Sequence, residues 1–137
     1  MRALAWASAR FSTSLTDSII GAAIAVHREL GPGLLESAYE TGLAIEFAAL
    51  GLDFVRQRTL PFVYRGVTVD KGYRIDFMVE QKVVVEVKAI ERIERVHRAQ
   101  VLSYLKQTGC KVGLLFNFNV RIFMPDGFRR IANGFPE

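Results

Sequence analysis

Apolar residues recur at a helical period through the N-terminal part of the chain and at a strand period after it, with one later helical stretch. Ser14 or Thr16 can cap a first helix, and Ile20, Ala23, Ile24 and His27 then fall on one face. Gly31-Pro32-Gly33 stops it, because proline disfavours the helical region in its predecessor and glycine accepts open turn geometry. A second helix is predicted from about Leu34 to Gly51, with Leu35, Tyr39, Leu43 and Phe47 on one face and Ile45 and Leu50 near its edge. Phe54 to Tyr64 is rich in β-branched and aromatic residues and reads as a strand interrupted or edged at Pro61. Arg65-Gly66 makes a turn, and Val67 to Val79 a second strand broken near Lys71-Gly72. Lys82 to Lys88 is a third strand. Ile93 to Gln107 is a helix with Val96, Ala99, Val101, Leu102 and Leu105 inward. Lys111 to Asn117 and Arg121 to Met124 read as short strands, Pro125-Asp126-Gly127 as a turn, and the tail as irregular. Strands between helices predict a mixed α/β domain, a sheet flanked by helices.

The stretch from Tyr73 to Lys88 is the most informative. Tyr73, Ile75, Phe77 and Val79 alternate with Arg74, Asp76, Met78 and Glu80, and Val83, Val85 and Val87 alternate with Val84, Glu86 and Lys88. Strand side chains alternate faces, so the apolar sets must share one face, and one register does this most simply. It pairs Ile75 with Val87, Phe77 with Val85 and Val79 with Val83, and leaves Glu80-Gln81-Lys82 as a hairpin loop. The same register sets Asp76 against Glu86, with Cβ atoms about 4.5–5.5 Å apart, and Lys88 on their face. Opposed carboxylates repel, and a cation between them relieves the repulsion. Mg²⁺ favours such a site: one or two carboxylates, water and substrate phosphate. A lysine beside it can orient water or steady developing phosphorane charge. The competing reading is a solvated sheet face.

Composition narrows the class. The chain has 137 residues, 50% of them hydrophobic and 23% charged, which suits one packed domain rather than disorder. Residues 1–14, with two arginines and no acid, read as a flexible leader, and 15–137 as one domain. A net charge of +4 is compatible with a polyanionic partner without requiring one. The single cysteine, Cys110, excludes an intrachain disulfide and a thiolate cluster, fits a reducing cytoplasmic setting, and reads as a packing residue. Ile19 to Val26 is too short to span a bilayer, so no membrane partner is expected.

Further polar residues sit at helical spacings. Glu36 and Tyr39 share a face at i, i+3, although an acid near a helix N-terminus is favoured anyway. Gln100 and Tyr104 stand at i, i+4 on the helix that returns toward the sheet, where the Gln100 amide can donate and accept. His27 reads as a packing histidine. His97 lies among Arg92, Arg95 and Arg98, a solvated cluster or, with Arg74, a track for a nucleic-acid backbone. Asn117-Phe118-Asn119 is a turn or a binding loop. There is no GxxxxGK[ST] phosphate loop, no HExxH zinc helix and no GxSxG nucleophile elbow.

The run Leu30-Gly31-Pro32-Gly33-Leu34-Leu35-Glu36-Ser37-Ala38-Tyr39-Glu40 resembles the signature of the GxxExxY protein family, placed within the PD-(D/E)XK nuclease superfamily. The resemblance continues through Arg74-Ile75-Asp76-Phe77, Val85-Glu86-Val87-Lys88-Ala89, Gln100-Val101-Leu102-Ser103-Tyr104-Leu105-Lys106 and Gly113-Leu114-Leu115-Phe116-Asn117-Phe118, and covers Leu15 to Phe123. Ile75 stands where the superfamily's nominal motif has proline. The resemblance implies a restriction-endonuclease-like core, a central mixed β-sheet flanked by helices. It implies a catalytic set of Glu36, Asp76, Glu86, Lys88 and Gln100, supported by Tyr39 and Tyr104. Mg²⁺ or Mn²⁺ is then expected on Asp76, Glu86 and the Val87 carbonyl, with Glu36 joining through water or holding a second ion. The expected activity is metal-dependent phosphodiester hydrolysis of nucleic acid, DNA ahead of RNA, with a homodimer as one way to widen the footprint. The alternative is a non-cleaving nucleic-acid-binding or protein-interaction module on the same fold.

Overall fold

The computed structural model describes residues 12–134, so most of the predicted leader and the last residues of the tail lie outside the described part. Five strands form one sheet in chain order: β1 (Phe54–Tyr64), β2 (Val67–Val79), β3 (Val83–Lys88), β4 (Val112–Asn117) and β5 (Phe128–Ala132). Only β3 and β4 run parallel; the other neighbours are antiparallel. Parallel neighbours need a crossover, here the helix α3 (Arg95–Thr108). Helices α1 (Ser12–Leu30) and α2 (Glu36–Ala49) precede the sheet, and a single helical turn, α4 (Phe123–Asp126), precedes β5. This is the mixed sheet flanked by helices expected from the sequence, and it matches a restriction-endonuclease-like core.

Two apolar clusters hold the layers together. Phe77, Val79, Val83, Val85, Val87, Leu114 and Phe116 meet Ile19, Ala23 and Val26 of α1 and Tyr39, Leu43 and Phe47 of α2. Met78, Val84 and Leu115 meet Val101, Tyr104 and Leu105 of α3. Strand β3 is covered on both faces, which is why Val83–Val85 reads as an unbroken apolar run rather than an alternation. Arg56 to Leu60 and Tyr73 to Phe77 keep one pairing register, and a second takes over at Phe62–Val69. Pro61 stands at the shift on β1, with Asp70, Lys71 and Gly72 opposite. Both breaks expected from the sequence therefore fall in one bulge. A Cβ on Gly72 would lie 1.9 Å from the Phe62 ring, so the bulge is built around that ring.

Several expectations are corrected. Arg121–Met124 is not a strand; the chain bends there and enters α4, and the last strand is Phe128–Ala132, inside what was read as tail. The turn expected at Pro125-Asp126-Gly127 is the single helical turn α4, which the Gly127 amide closes onto the Phe123 carbonyl at 2.7 Å. Helix α2 begins at Glu36, with Leu35 as an exposed N-cap rather than a member of the buried face; Ile45 is exposed as well. In α3, Val101 and Leu105 are buried, Leu102 partly so, and Val96 and Ala99 face solvent. His97 accepts a hydrogen bond at Nδ1 from the Glu94 backbone amide (2.9 Å) in a reciprocal cap at the start of α3.

The uncertain residues elsewhere resolve as packing. His27 stacks on Phe123 and meets the Val120 carbonyl through Nε2 at 2.6 Å. Cys110 is buried. Asn117 is buried at the end of β4; its Oδ1 accepts from the Ile90 amide at 3.0 Å and its Nδ2 donates to the Ile90 carbonyl at 2.9 Å. This pair of hydrogen bonds clamps the chain two residues beyond Lys88. Asn117→Ala leaves the Ile90 amide without its partner and the Ile90 carbonyl with only a long bond from Asn119 Nδ2 (3.4 Å), and an unfolding free energy lowered by about 2 kcal/mol is expected in urea titrations.

Candidate functional site

The ladder between β2 and β3 contains three pairs, Val79–Val83, Met78–Val84 and Phe77–Val85, as the sequence pattern required. It stops before the expected Ile75–Val87 pair. Beyond it the strands are joined through side chains. The Asp76 amide donates to Glu86 Oε2 at 2.8 Å, and the Val87 amide donates to Asp76 Oδ2 at 2.8 Å. Each carboxylate thus takes an amide of the opposite strand, the place a backbone carbonyl holds in an ordinary ladder. Ile75 packs with Met78 and Val84 instead of with Phe77 and Val85, so the strict alternation fails at Asp76. On β1 the residue facing Asp76 is Gln57, in the left-handed region at φ 58°.

Burial sets the electrostatics. Glu86 is almost wholly buried and Asp76 partly so. Desolvation, then the charge of Asp76, pushes the Glu86 carboxyl up to about 8, against the pull of the Asp76 amide and Lys88. Asp76 is also raised, first by burial; the Val87 amide opposes this, and Glu40 adds to it. Without a cation, the charge of each carboxyl raises the proton affinity of the other, so the two titrate as a pair. No lysine or arginine forms an ion pair with either of them among the described residues.

Lys88 follows on β3, and its Nζ donates to Gln100 Oε1 at 3.1 Å. Gln100 also hydrogen-bonds Tyr104, whose hydroxyl is raised first by burial and then by Glu86 and Asp76. Glu36, exposed at the start of α2, reaches the end of β3, where Oε2 accepts from the Ala89 amide at 3.2 Å. An open cleft of about 570 Å³ contains Glu36, Asp76, Glu86, Lys88, Gln100 and Tyr104 in its wall, together with Arg74. Tyr39 lies apart from the cleft. Its hydroxyl donates to the Gly31 carbonyl at 2.6 Å and accepts from the Leu34 amide at 3.1 Å, and its ring stacks on Phe118. It closes the loop from which α2, and with it Glu36, starts. Arg92, Arg95 and Arg98 are exposed, and none of them lines the cleft.

Two residues near the site escaped sequence reasoning. Glu40 is buried one helical turn after Glu36; it accepts from Arg56 Nε at 2.9 Å and from Gln57 Nε2. Gln57 Nε2 also lies 3.5 Å from Asp76 Oδ1. The i, i+4 spacing from Glu36 is the signal that could have found Glu40. Gln57 carries no such signal, because its position depends on a left-handed backbone in a strand.

No cluster of three or more His, Cys, Asp and Glu side chains forms a ready cation cage among the described residues. Mg²⁺ does not need one, since it keeps most of its water and binds through one or two carboxylates. The donor set fits such an ion. Two raised, unpaired carboxyls adjoin, and the Val87 carbonyl points to the same side of β3 as its amide, toward Asp76.

No helix among the described residues is long and apolar enough to cross a membrane. No curated protein and no solved structure matches the chain. The family model of the PD-(D/E)XK nuclease superfamily matches residues 13–131, which takes in all five strands and their intervening helices up to Ile131. The conjunction of this match with a mixed sheet carrying Asp76 and Glu86-Val87-Lys88 at the end of a strand pair leads to one conclusion: the chain belongs to the PD-(D/E)XK nuclease superfamily.

Proposed function

We propose that the chain is a Mg²⁺- or Mn²⁺-dependent phosphodiesterase acting on nucleic acid, DNA ahead of RNA, in a cytoplasmic setting. The GxxExxY family within the superfamily is the subgroup its helix signature supports. The observation that carries the reading is the Asp76–Glu86 pair: two adjoining carboxyls, one buried and one partly so, beside Lys88 at the wall of an open cleft.

Asp76, Glu86 and the Val87 carbonyl would hold the ion, which when bound supplies Lewis-acid polarisation of a phosphate oxygen. Glu36, farther out at the cleft wall, would bind through water or hold a second ion. Lys88 positions the attacking water and faces the charge that develops on the phosphate. Gln100, which accepts from the Lys88 ammonium, fixes its direction. Tyr104 braces Gln100, and Tyr39 braces the loop that sets Glu36. Arg74 at the cleft and the exposed Arg92, Arg95 and Arg98 would meet backbone phosphates. A second copy of the chain would widen a small footprint to duplex scale.

Lys88→Ala is expected to lower cleavage of labelled DNA by about 10²-fold or more with Mg²⁺ or Mn²⁺ while leaving the circular dichroism spectrum unchanged. Cleavage retained in this variant refutes the assigned role.

The raised Glu86 gives a second expectation. In the metal-free protein its folded pKa, about 8, lies above the ordinary glutamate value of 4.5. Between these values the folded state holds the extra proton. Glu86's contribution to stability is therefore full below about 4.5 and is lost as pH rises through about 8. Metal binding needs the ionised pair, so it gains over the same range. Thermal scans in a chelator should show a melting temperature that falls from pH 6 to pH 9. Mg²⁺ or Mn²⁺ should raise it more at the alkaline end, and Glu86→Gln should flatten both dependences.

A further inference from the structure

Beyond the cleft, the β1–β2 hairpin continues as a two-stranded ribbon. Past the bulge, three residue pairs, Phe62–Val69, Val63–Thr68 and Tyr64–Val67, carry it to the Arg65-Gly66 turn. Every residue from Val63 to Lys71 is exposed. Exposed β-ribbons normally present polar side chains, yet Val63, Tyr64 and Val67 are 68%, 62% and 63% accessible. Such a surface calls for an occupant.

Charge and shape select one. Between Arg58 and Arg74 stand four cations, Arg58, Arg65, Lys71 and Arg74, against Asp70 alone, while the whole chain has 18 basic and 14 acidic residues. Lys71 and Arg74 also line the cleft, so positive charge runs from the ribbon to the Asp76–Glu86 site. At the apex Arg65 and Gly66 have φ of 49° and 80°. That mirror-image turn favours Asn-Gly, and a Cβ-bearing arginine is disfavoured there. The turn thus accepts local strain and keeps a cation at the apex. The three pairs beyond the bulge span about 10 Å at strand rise. The major groove of B-form DNA is about 8.5 Å deep and 12 Å wide, and admits a two-stranded ribbon. The deep, narrow major groove of A-form RNA does not.

We propose that the β1–β2 ribbon is an arm that enters the major groove of duplex DNA and brings the adjoining backbone to the cleft. The inference rests on the nuclease reading for its purpose, but not for its test. Tyr64 and Val67, paired across the ribbon and so on one face of it, meet base-edge methyl groups in the groove, and Arg65 meets phosphate or guanine. The arm makes duplex DNA the substrate class.

The test is fluorescence anisotropy in chelator with labelled DNA duplex, RNA duplex and single-stranded DNA of one sequence. Wild type is compared with Arg65→Asn and with the double variant Tyr64→Thr/Val67→Thr. Wild type should favour the DNA duplex over the RNA duplex about tenfold, and both variants should lose most of that preference. Arg65→Asn should also lower the slope of log K against log salt by about 0.9, with a melting temperature equal to or above wild type. Hydrolysis of bis(p-nitrophenyl) phosphate with Mn²⁺ reads the Asp76–Glu86 site by itself and should not change in the ribbon variants. Unchanged duplex affinity in both variants overturns the arm, whatever the diester assay gives. So does equal wild-type affinity for DNA and RNA duplexes, or ribbon variants that lose only self-association in sedimentation. Ribbon-dependent duplex binding without diester hydrolysis upholds the arm and removes the nuclease reading.

Discussion

Everything around the cleft depends on the exchange between Asp76 and Glu86. An antiparallel ladder would otherwise continue past Phe77–Val85, each amide meeting a carbonyl. Instead Glu86 takes the Asp76 amide and Asp76 takes the Val87 amide. The bonds keep the strands together while backbone pairing ends. They also hold two carboxyls side by side under partial burial, an arrangement that is unfavourable when both are ionised. The protein relieves the repulsion by raising their proton affinity. A cation in place of that proton would relieve the same repulsion.

The rest of the fold supplies what two strands cannot. Because β3 and β4 are parallel, the chain must cross over the sheet between them, and α3 is that crossover. It lays Tyr104 on the face of Met78 and Val84, and brings Gln100 to the Lys88 ammonium. On the other face, Tyr39 ties Leu34 to Gly31 and stacks on Phe118, so the start of α2 is fixed near the end of β3. Asn117 clamps Ile90 from β4. The segment after Lys88 is therefore held from two sides before any ligand arrives, which is what a preorganised charge site requires.

What the sequence made legible follows this division. Alternation along β2 and β3 was strong enough to fix the register through Val79–Val83, because a one-residue slip would expose every apolar side chain. That register led to Asp76, Glu86 and Lys88. It was wrong for Ile75, since alternation assumes a continuous ladder and the carboxylates end it. Gln57 was missed for a related reason: its place depends on its own positive φ, which no local pattern encodes, whereas Glu40 lies one helical turn after Glu36, at a spacing that was there to be read. Leu35 and Val96 were assigned inward by periodicity, yet both lie at helix starts, where the apolar stripe has not yet reached the sheet. The last strand was misplaced because Arg121–Met124 has strand-forming residues but no partner at that point. Phe128–Ala132 finds one in β4 through Phe116–Phe128 and Val112–Ala132.

The cleft places opposite charges at different depths. Asp76 and Glu86 lie at the end of the buried strand pair, while exposed Lys71 and Arg74 stand in the wall that leads to the hairpin. Were the basic residues there to neutralise the acids, they would pair with them, and no such pair forms among the described residues. Their separation instead leaves a demand for a cation at the carboxyls and for an anion at the rim. A metal ion and a phosphodiester meet both demands together, because each screens the charge that would repel the other. A metal alone would face the basic rim, and a phosphate alone would face the two carboxylates. On the proposed reading, the arrangement therefore favours joint binding over either partner by itself, with the phosphate beside Lys88.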